Sequence, residues 1–158
     1  DAALIIHDYF ERYQGIQKWM AANLDEARRS GFVRTFWGRL RHLPELAAKN
    51  TALRQFGERA ARNTPIQGGS ADIIKIAMLD IAKSLAKWKA LMLLQVHDEL
   101  VFEADKSDAA AFGRWVKSVM EKAVALRVPI VADVKIGPNW RDVTPQVEEI
   151  PVLPESGE

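Results

Sequence analysis

"LLQVHDELVFEADKSD" (residues 93–108) sets two apolar runs, 93–96 and 100–102, on either side of His97, Asp98 and Glu99. Each run has the composition of a strand, and the polar residues between them can form a turn. The stretch predicts an antiparallel hairpin of 91–96 with 100–104, with Asp98 at its exposed end. A short hairpin fixes the direction of a carboxylate better than a long loop does. Adjacent residues of a strand point to opposite faces, so Asp98 and Glu99 are not expected to ligate one ion equally. One could be a direct ligand and the other an accessory. A hard cation such as Mg²⁺ takes one or two carboxylates together with substrate phosphates, so a further carboxylate would have to come from elsewhere. Read alone, the same three residues are also ordinary turn formers, and the tip could be purely structural.

The rest of the chain sets bounds on that hairpin. Its 158 residues suit one domain, and 48% of them are hydrophobic, enough for a core. There is no cysteine, which removes disulfides, thiol nucleophiles and cysteine-ligated zinc, and fits a reducing compartment. No apolar run approaches the roughly 20 residues that span a bilayer, so no membrane association is expected. The chain opens at Asp1 without a signal-peptide pattern and reads as a piece of something longer.

The net charge of +1 is unevenly spread. Between Arg28 and Arg62 nine basic residues face only Glu45 and Glu58, whereas residues 143–158 hold four glutamates and no base. The basic block suggests an anionic partner, or else a solvated face. The end of the chain, rich in Pro and Glu, reads as a flexible acidic tail.

Hydrophobic spacing predicts the remaining elements. Ile6, Phe10 and Tyr13 mark a first helix, with a break at Gly15. Ile16, Met20, Leu24 and Ala27 mark a second, ended by Gly31. Residues 32–46 read as a short hairpin around Gly38, closed by Pro44. Residues 50–63 return to helix, and Pro65 with Gly68 and Gly69 reads as a boundary. A further amphipathic helix carries Ile73, Ile74, Ala77, Met78, Ile81 and Leu85, with Ser70 as its cap. After the 91–104 hairpin, Ser107 could cap a helix that buries Phe112, Trp115, Val116, Val119, Met120 and Val124. "IVADVKI" (130–136) alternates as a strand should. The fold class is α+β, a small antiparallel sheet packed against several helices.

Four segments, in order, carry a resemblance. "YFERYQGIQKWM" (9–20), "GFVRTFWGRLRHLPEL" (31–46), "ERAARNTPIQGGSADIIKIAM" (58–78) and "LLQVHDELVFEA" (93–104) resemble the C-terminal part of family A DNA polymerases, the bacterial polymerase I type. "GPNW" (137–140) is similar to the family's last residues. The likeness implies that residues 1–142 are a palm segment with the base of the fingers, the His-Asp-Glu hairpin lying in a palm-type sheet, and that 143–158 lie beyond it. It implies that Asp98 binds the catalytic Mg²⁺, that Glu99 assists, and that His97 lies near the primer end. Arg59, Asn63 and Gln67 would touch the primer–template. Their four-residue spacing puts them on one helix face, provided the helix tolerates Pro65. Arg can hold a phosphate and the amides can reach sugar or base edges in the minor groove. Without the likeness, Asn63 and Gln67 could instead cap a helix end near Pro65 and Gly68. Arg39 and Arg41 could meet phosphates or solvent.

Departures from the pattern also bear on the reading. Arg62 stands where the family is usually apolar, "QGGSAD" (67–72) replaces a Gln-Gly-Thr-Ala-Ala-Asp pattern, and Leu40, His42 and Gln14 depart from the common Arg, Tyr and Pro. The family's first metal-binding aspartate sits in an Asp-Tyr-Ser type motif, and the only similar pair here, Asp8-Tyr9, falls on the first helix. The helix that grips the incoming triphosphate is also lacking. The likeness therefore implies part of a DNA-directed DNA polymerase of the bacterial cytoplasm and nucleoid, with DNA primer–template, deoxynucleoside triphosphates and an upstream polymerase segment as partners. The chain by itself is expected to be inactive and to expose an apolar, adhesive surface. The alternatives are a non-catalytic nucleic-acid-binding module on the same fold and a tail that recruits a protein.

Overall fold

In the computed structural model, which describes residues 2–145, the chain divides after Asp72 into two compact units. The first is built by α1 (Ala2–Arg12), α2 (Gln14–Ser30), β1 (Phe32–Arg34), β2 (Leu40–His42), a 3₁₀ turn (Pro44–Ala47) and the greater part of α3 (Thr51–Leu85). The break between α1 and α2 falls at Tyr13, whose backbone is non-helical, and not at Gly15. Gly15 sits in the first turn of α2, where a helix-interior penalty does not apply. Gly31 ends α2 as expected. Its φ of 76° is left-handed, and its N–H reaches the carbonyl of Ala27. β1 and β2 pair antiparallel, with Val33 opposite Arg41, and Gly38 supplies the positive φ of the connecting loop. Leu24, Ala27, Val33, Leu43, Ala60 and Ala61 form this unit's core, with Leu46 against it.

The boundary expected at Pro65 does not exist. α3 runs unbroken for 35 residues with Pro65 inside it, and Ser70 is a mid-helix residue, not a cap. Pro65 has no N–H to give to the carbonyl of Ala61, which would ordinarily bend or end the helix. Here that carbonyl accepts a hydrogen bond from Asn23 Nδ2 at 2.7 Å. Gly68 and Gly69 serve close approach. A methyl group on Gly68 would lie 2.7 Å from Thr35 Cγ2, and one on Gly69 would lie 3.0 Å from the Phe36 ring. The loop of the β1–β2 hairpin rests on the helix where the helix has no side chains.

The second unit takes the last turns of α3, then β3 (Ala90–Val96), β4 (Glu99–Ala104), α4 (Ala109–Glu121) and the short β5 (Lys135–Ile136) and β6 (Thr144–Pro145). Ile81, Ala90, Phe112 and Val116 are its buried core, and Trp115, Val119 and Met120 pack against it, as their helical spacing predicts. Phe102 meets Phe112 edge-on at 5.3 Å, and Trp88 stacks on Trp115 at 5.5 Å. β3 and β4 pair antiparallel with an irregularity between Met92 and Leu94. It leaves Leu93 unpaired and sets Leu94 opposite Val101, with Leu91 and Leu94 exposed.

Three expectations change in this unit. Strand 130–136 shrinks to Lys135–Ile136, paired with Thr144–Pro145. The N–H of Ala132 goes to Glu121 Oε1 at 3.0 Å, so a side chain takes the place of a ladder partner. Ser107 does not cap α4. The helix starts after Asp108, and the Ser107 hydroxyl donates to Asp105 Oδ1 at 2.9 Å. The Ser107 N–H, and then that hydroxyl, hold the Asp105 carboxyl below its usual range. Val124 lies beyond the end of α4, not on its buried stripe. Thr144 and Pro145, expected in the tail, are strand residues, and residues 146–158 lie outside the described residues. The described chain is α+β, with three separate two-stranded ladders in place of one sheet. Among the described residues no helix is long and apolar enough to cross a membrane.

The close approach at Gly68 generates a test. Gly68→Ala should lower stability by about 1–3 kcal/mol, the cost of overpacking against Thr35. Urea unfolding followed by circular dichroism reads it, and an unshifted midpoint would show that the loop yields freely.

Candidate functional site

Val96 and Glu99 form the last pair of the β3–β4 ladder, so the turn holds only His97 and Asp98. Glu99, expected in the tip, is the first residue of β4. His97 adopts φ 53°, a conformation uncommon outside glycine but several-fold enriched in asparagine, aspartate and histidine, and the Gln95 side-chain amide donates to its carbonyl. A two-residue turn with a positive φ at its first position suits the twist of the flanking strands. The side chains of His97, Asp98 and Glu99 are exposed and make no hydrogen bond or ion pair among the described residues. Asp98 is thus an acceptor-only group at the apex of a rigid element. Among the described residues, no three His, Cys, Asp or Glu side chains are grouped to hold a metal ion. The tip offers Asp98 with Glu99 beside it, which suits one portion of a Mg²⁺ site completed by substrate phosphates and another carboxylate.

In the first unit, α3 has a tethered side and a free row. The tethers are the Asn23 bond to the carbonyl of Ala61, Arg41 Nη1 to Thr64 Oγ1 at 3.2 Å, and two bonds from Arg39. Arg39 reaches Asp72 Oδ1 with Nε at 2.7 Å and the carbonyl of Gly68 with Nη2 at 2.8 Å. Arg39 and Arg41 therefore fasten the β1–β2 hairpin to the helix. One turn earlier, Arg28 Nη2 binds Glu58 Oε1 at 2.8 Å, which holds the Glu58 carboxyl below its usual range and raises the Arg28 guanidinium.

Arg59, Asn63 and Gln67 are different. All three are exposed, with no side-chain hydrogen bond or ion pair among the described residues. Because α3 is continuous, their spacing of four keeps them on one face, and neither amide caps a helix end. Asn63 and Gln67 line an open groove of about 500 Å³ with Arg62 and Ile66 of α3 and Gly15, Ile16, Trp19 and Met20 of α2. Sequence reasoning missed Trp19 as a wall of this groove, and missed Asn23, Thr64 and Asp72 as the partners that hold α3. The signal for Asn23 was Pro65 itself, since a proline inside a helix leaves a carbonyl that something else must satisfy.

The comparisons with known proteins agree on one lineage. The model of the family described as DNA polymerase family A matches residues 1–142. The chain is 46% identical over 144 residues to DNA polymerase I of Bacillus subtilis (strain 168), covering 90% of this chain and 16% of that relative. It is 43% identical over 140 residues to the thermostable DNA polymerase I of Thermus aquaticus, covering 89% of this chain and 17% of that relative. Among solved structures, the POL domain of Pol1 from M. smegmatis in complex with DNA primer-template and dNTP matches with a TM-score of 0.76 and 40% identity, over 81% of this chain and 23% of that one. The chain spans about a sixth of the length of these curated relatives.

The Arg39 tether can be tested without reference to activity. Arg39→Ala removes an ion pair to a nearly buried Asp72 and one bond to a helix carbonyl, and should cost about 2 kcal/mol. Thermal unfolding checks this, and a loss below about 0.5 kcal/mol would make Arg39 a solvated surface group.

Proposed function

The chain belongs to DNA polymerase family A, and on that premise we propose that it is the palm-and-fingers-base segment of a DNA-directed DNA polymerase. The reaction is template-directed nucleotidyl transfer, in which the primer 3′ oxygen attacks the α-phosphorus of a deoxynucleoside triphosphate and pyrophosphate leaves. Mg²⁺ ions, when bound, neutralise charge on the attacking oxygen and on the departing pyrophosphate. Asp98 would hold metal from the apex of the β3–β4 turn, with Glu99 as an accessory and His97 beside the primer end. Arg59 would hold a backbone phosphate, and Asn63 and Gln67 would reach minor-groove edges, sensing duplex shape without demanding one sequence. The second carboxylate of a two-metal site comes from a polymerase segment outside these 158 residues, so the site is composite and this chain is inactive by itself.

One observation carries the reading. The six side chains to which the family likeness gives metal or DNA roles are all exposed and without an internal partner among the described residues, while neighbouring Arg28, Arg39 and Arg41 are engaged within the fold. Polar groups left open in this way are available to an outside ligand.

The decisive experiment is Mg²⁺-dependent primer extension by this chain, alone and mixed with an upstream polymerase segment shown to associate with it. Extension only in the mixture supports a composite site. Extension by the chain alone would refute that view. Silence in both, with DNA binding that is steeply salt-dependent and indifferent to Mg²⁺, would turn the reading toward a nucleic-acid-binding module.

Two substitutions sharpen it. In the complete enzyme Asp98→Asn should abolish extension while changing primer–template affinity only a few-fold, and near-normal extension would remove Asp98 from the metal site. Gln67→Ala should slow extension or raise the error frequency without moving the unfolding midpoint. An unchanged rate and error frequency would take Gln67 out of the DNA contact.

A further inference from the structure

We propose that Asn23 is a positioning residue for the row Arg59, Asn63 and Gln67, because it supplies the hydrogen bond that Pro65 cannot. The functional half of this inference rests on the reading of that row as a primer–template contact.

Pro65 falls between Asn63 and Gln67, so any bend at the proline moves one amide relative to the other and to Arg59. A proline inside a helix removes one backbone bond and crowds the carbonyl four residues earlier, and helices usually answer by kinking there. That carbonyl belongs to Ala61, which is fully buried in the cluster with Leu24, Ala27, Val33 and Leu43, so the lost donor has to be replaced from elsewhere. Asn23 Nδ2 meets it at 2.7 Å from a position 38 residues earlier in the chain. The other tethers of α3 act on Thr64, Gly68 and Asp72, to one side of the break or the other. Asn23 acts on the broken backbone bond itself. It also lies one helical turn beyond Trp19 and Met20, so the same bond spaces the two walls of the groove that Asn63 and Gln67 line.

The arrangement permits a double-mutant test, since replacing Pro65 by Ala restores an N–H that can reach the carbonyl of Ala61 within the helix. The variants Asn23→Ala, Pro65→Ala and the double variant would be made in the full polymerase that carries this chain. Two readouts are needed: amide hydrogen exchange over residues 62–69, and the dissociation constant for a fluorescent primer–template. Asn23→Ala should speed exchange there roughly tenfold, the effect of one unsatisfied buried acceptor, and weaken primer–template binding several-fold. The double variant should match Pro65→Ala within about twofold in both, because the carbonyl then has its donor without Asn23.

Exchange in Asn23→Ala equal to that of the parent would overturn the proposal. So would a loss of the same size in the Pro65→Ala background, which would mean that Asn23 acts through packing. If Asn23→Ala does not fold, the comparison of Pro65→Ala with the double variant still decides, since equality supports the bond and inequality refutes it. Exchange that follows the expected pattern while DNA affinity stays constant in every variant would uphold the helix tie and refute the assignment of the row to DNA.

Discussion

The hydrogen bond from Asn23 to the carbonyl of Ala61 lets a proline stand in the middle of a 35-residue helix. Much in the first unit depends on that helix continuing. Were it to stop near Pro65, Asn63 and Gln67 would fall in different elements, and the hairpin loop at Thr35 and Phe36 would have no smooth glycine surface to rest on. A buried carbonyl without a donor costs about 1–3 kcal/mol, a large share of the 5–15 kcal/mol that keeps a typical domain folded. Arg41 adds a tether at Thr64, just before the proline, and Arg39 adds two beyond it, at Gly68 and Asp72. The helix is thus held from both neighbouring elements, α2 and the β1–β2 hairpin, and the row it leaves open is the one with free polar ends.

The second unit solves a similar problem with aromatic packing. Leu100, Phe102 and Ala104 alternate inward along β4 and meet the α4 side of the core, where Phe102 sits edge-on to Phe112. That alternation fixes which face Glu99 and Glu103 must take. The irregularity after Met92 lets β3 keep Ala90 and Met92 inside while Leu94 turns outward opposite Val101. With both strands pinned and only two residues to turn in, the chain at His97 has little freedom, and its positive φ is the backbone cost of that turn. The direction of Asp98 is therefore set by core side chains of β3, β4 and α4 and not by the turn residues alone.

Local signals were read correctly where a single residue decides the outcome. Gly31 and Gly38 mark a helix end and a turn because only a left-handed backbone satisfies those positions, and the stripe Phe112, Trp115, Val116, Val119 and Met120 follows from helical period alone. The reading failed where a distant partner overrides the local rule. Pro65, Gly68 and Gly69 spell a boundary in sequence, yet Asn23 and the Thr35–Phe36 loop turn the same residues into a tethered, closely packed stretch of helix. "IVADVKI" alternates like a strand, but alternation needs a neighbouring strand to become a ladder, and among the described residues only Thr144 and Pro145 supply one. The candidate residues were legible as motifs. Their shared openness was not, since it depends on which other groups Arg28, Arg39 and Arg41 find in three dimensions.

That distinction changes the weight of the charge argument. Nine basic residues between Arg28 and Arg62 read as an invitation to an anion. In the folded chain Arg28 binds Glu58, Arg29 pairs with Glu26, Arg39 binds Asp72, Arg41 meets Thr64, Arg54 reaches the carbonyl of Ala48, and Arg34 lies 5.0 Å from the centre of the Phe32 ring. Three of these pairs set a carboxylate beside the cation, and two of those carboxylates, Glu26 and Asp72, lie outside the block as counted. The field that an approaching polyanion meets is therefore weaker than the formal sum, and salt weakens the exposed part further. What remains specific is geometric. Arg59 carries an unpaired guanidinium at the head of a row whose next two members are unpaired amides on the same helix face, and a phosphate followed by groove edges is the order of groups along a duplex. The case for DNA rests on that row and on the bond that ties its helix at the proline, more than on the net charge of the segment.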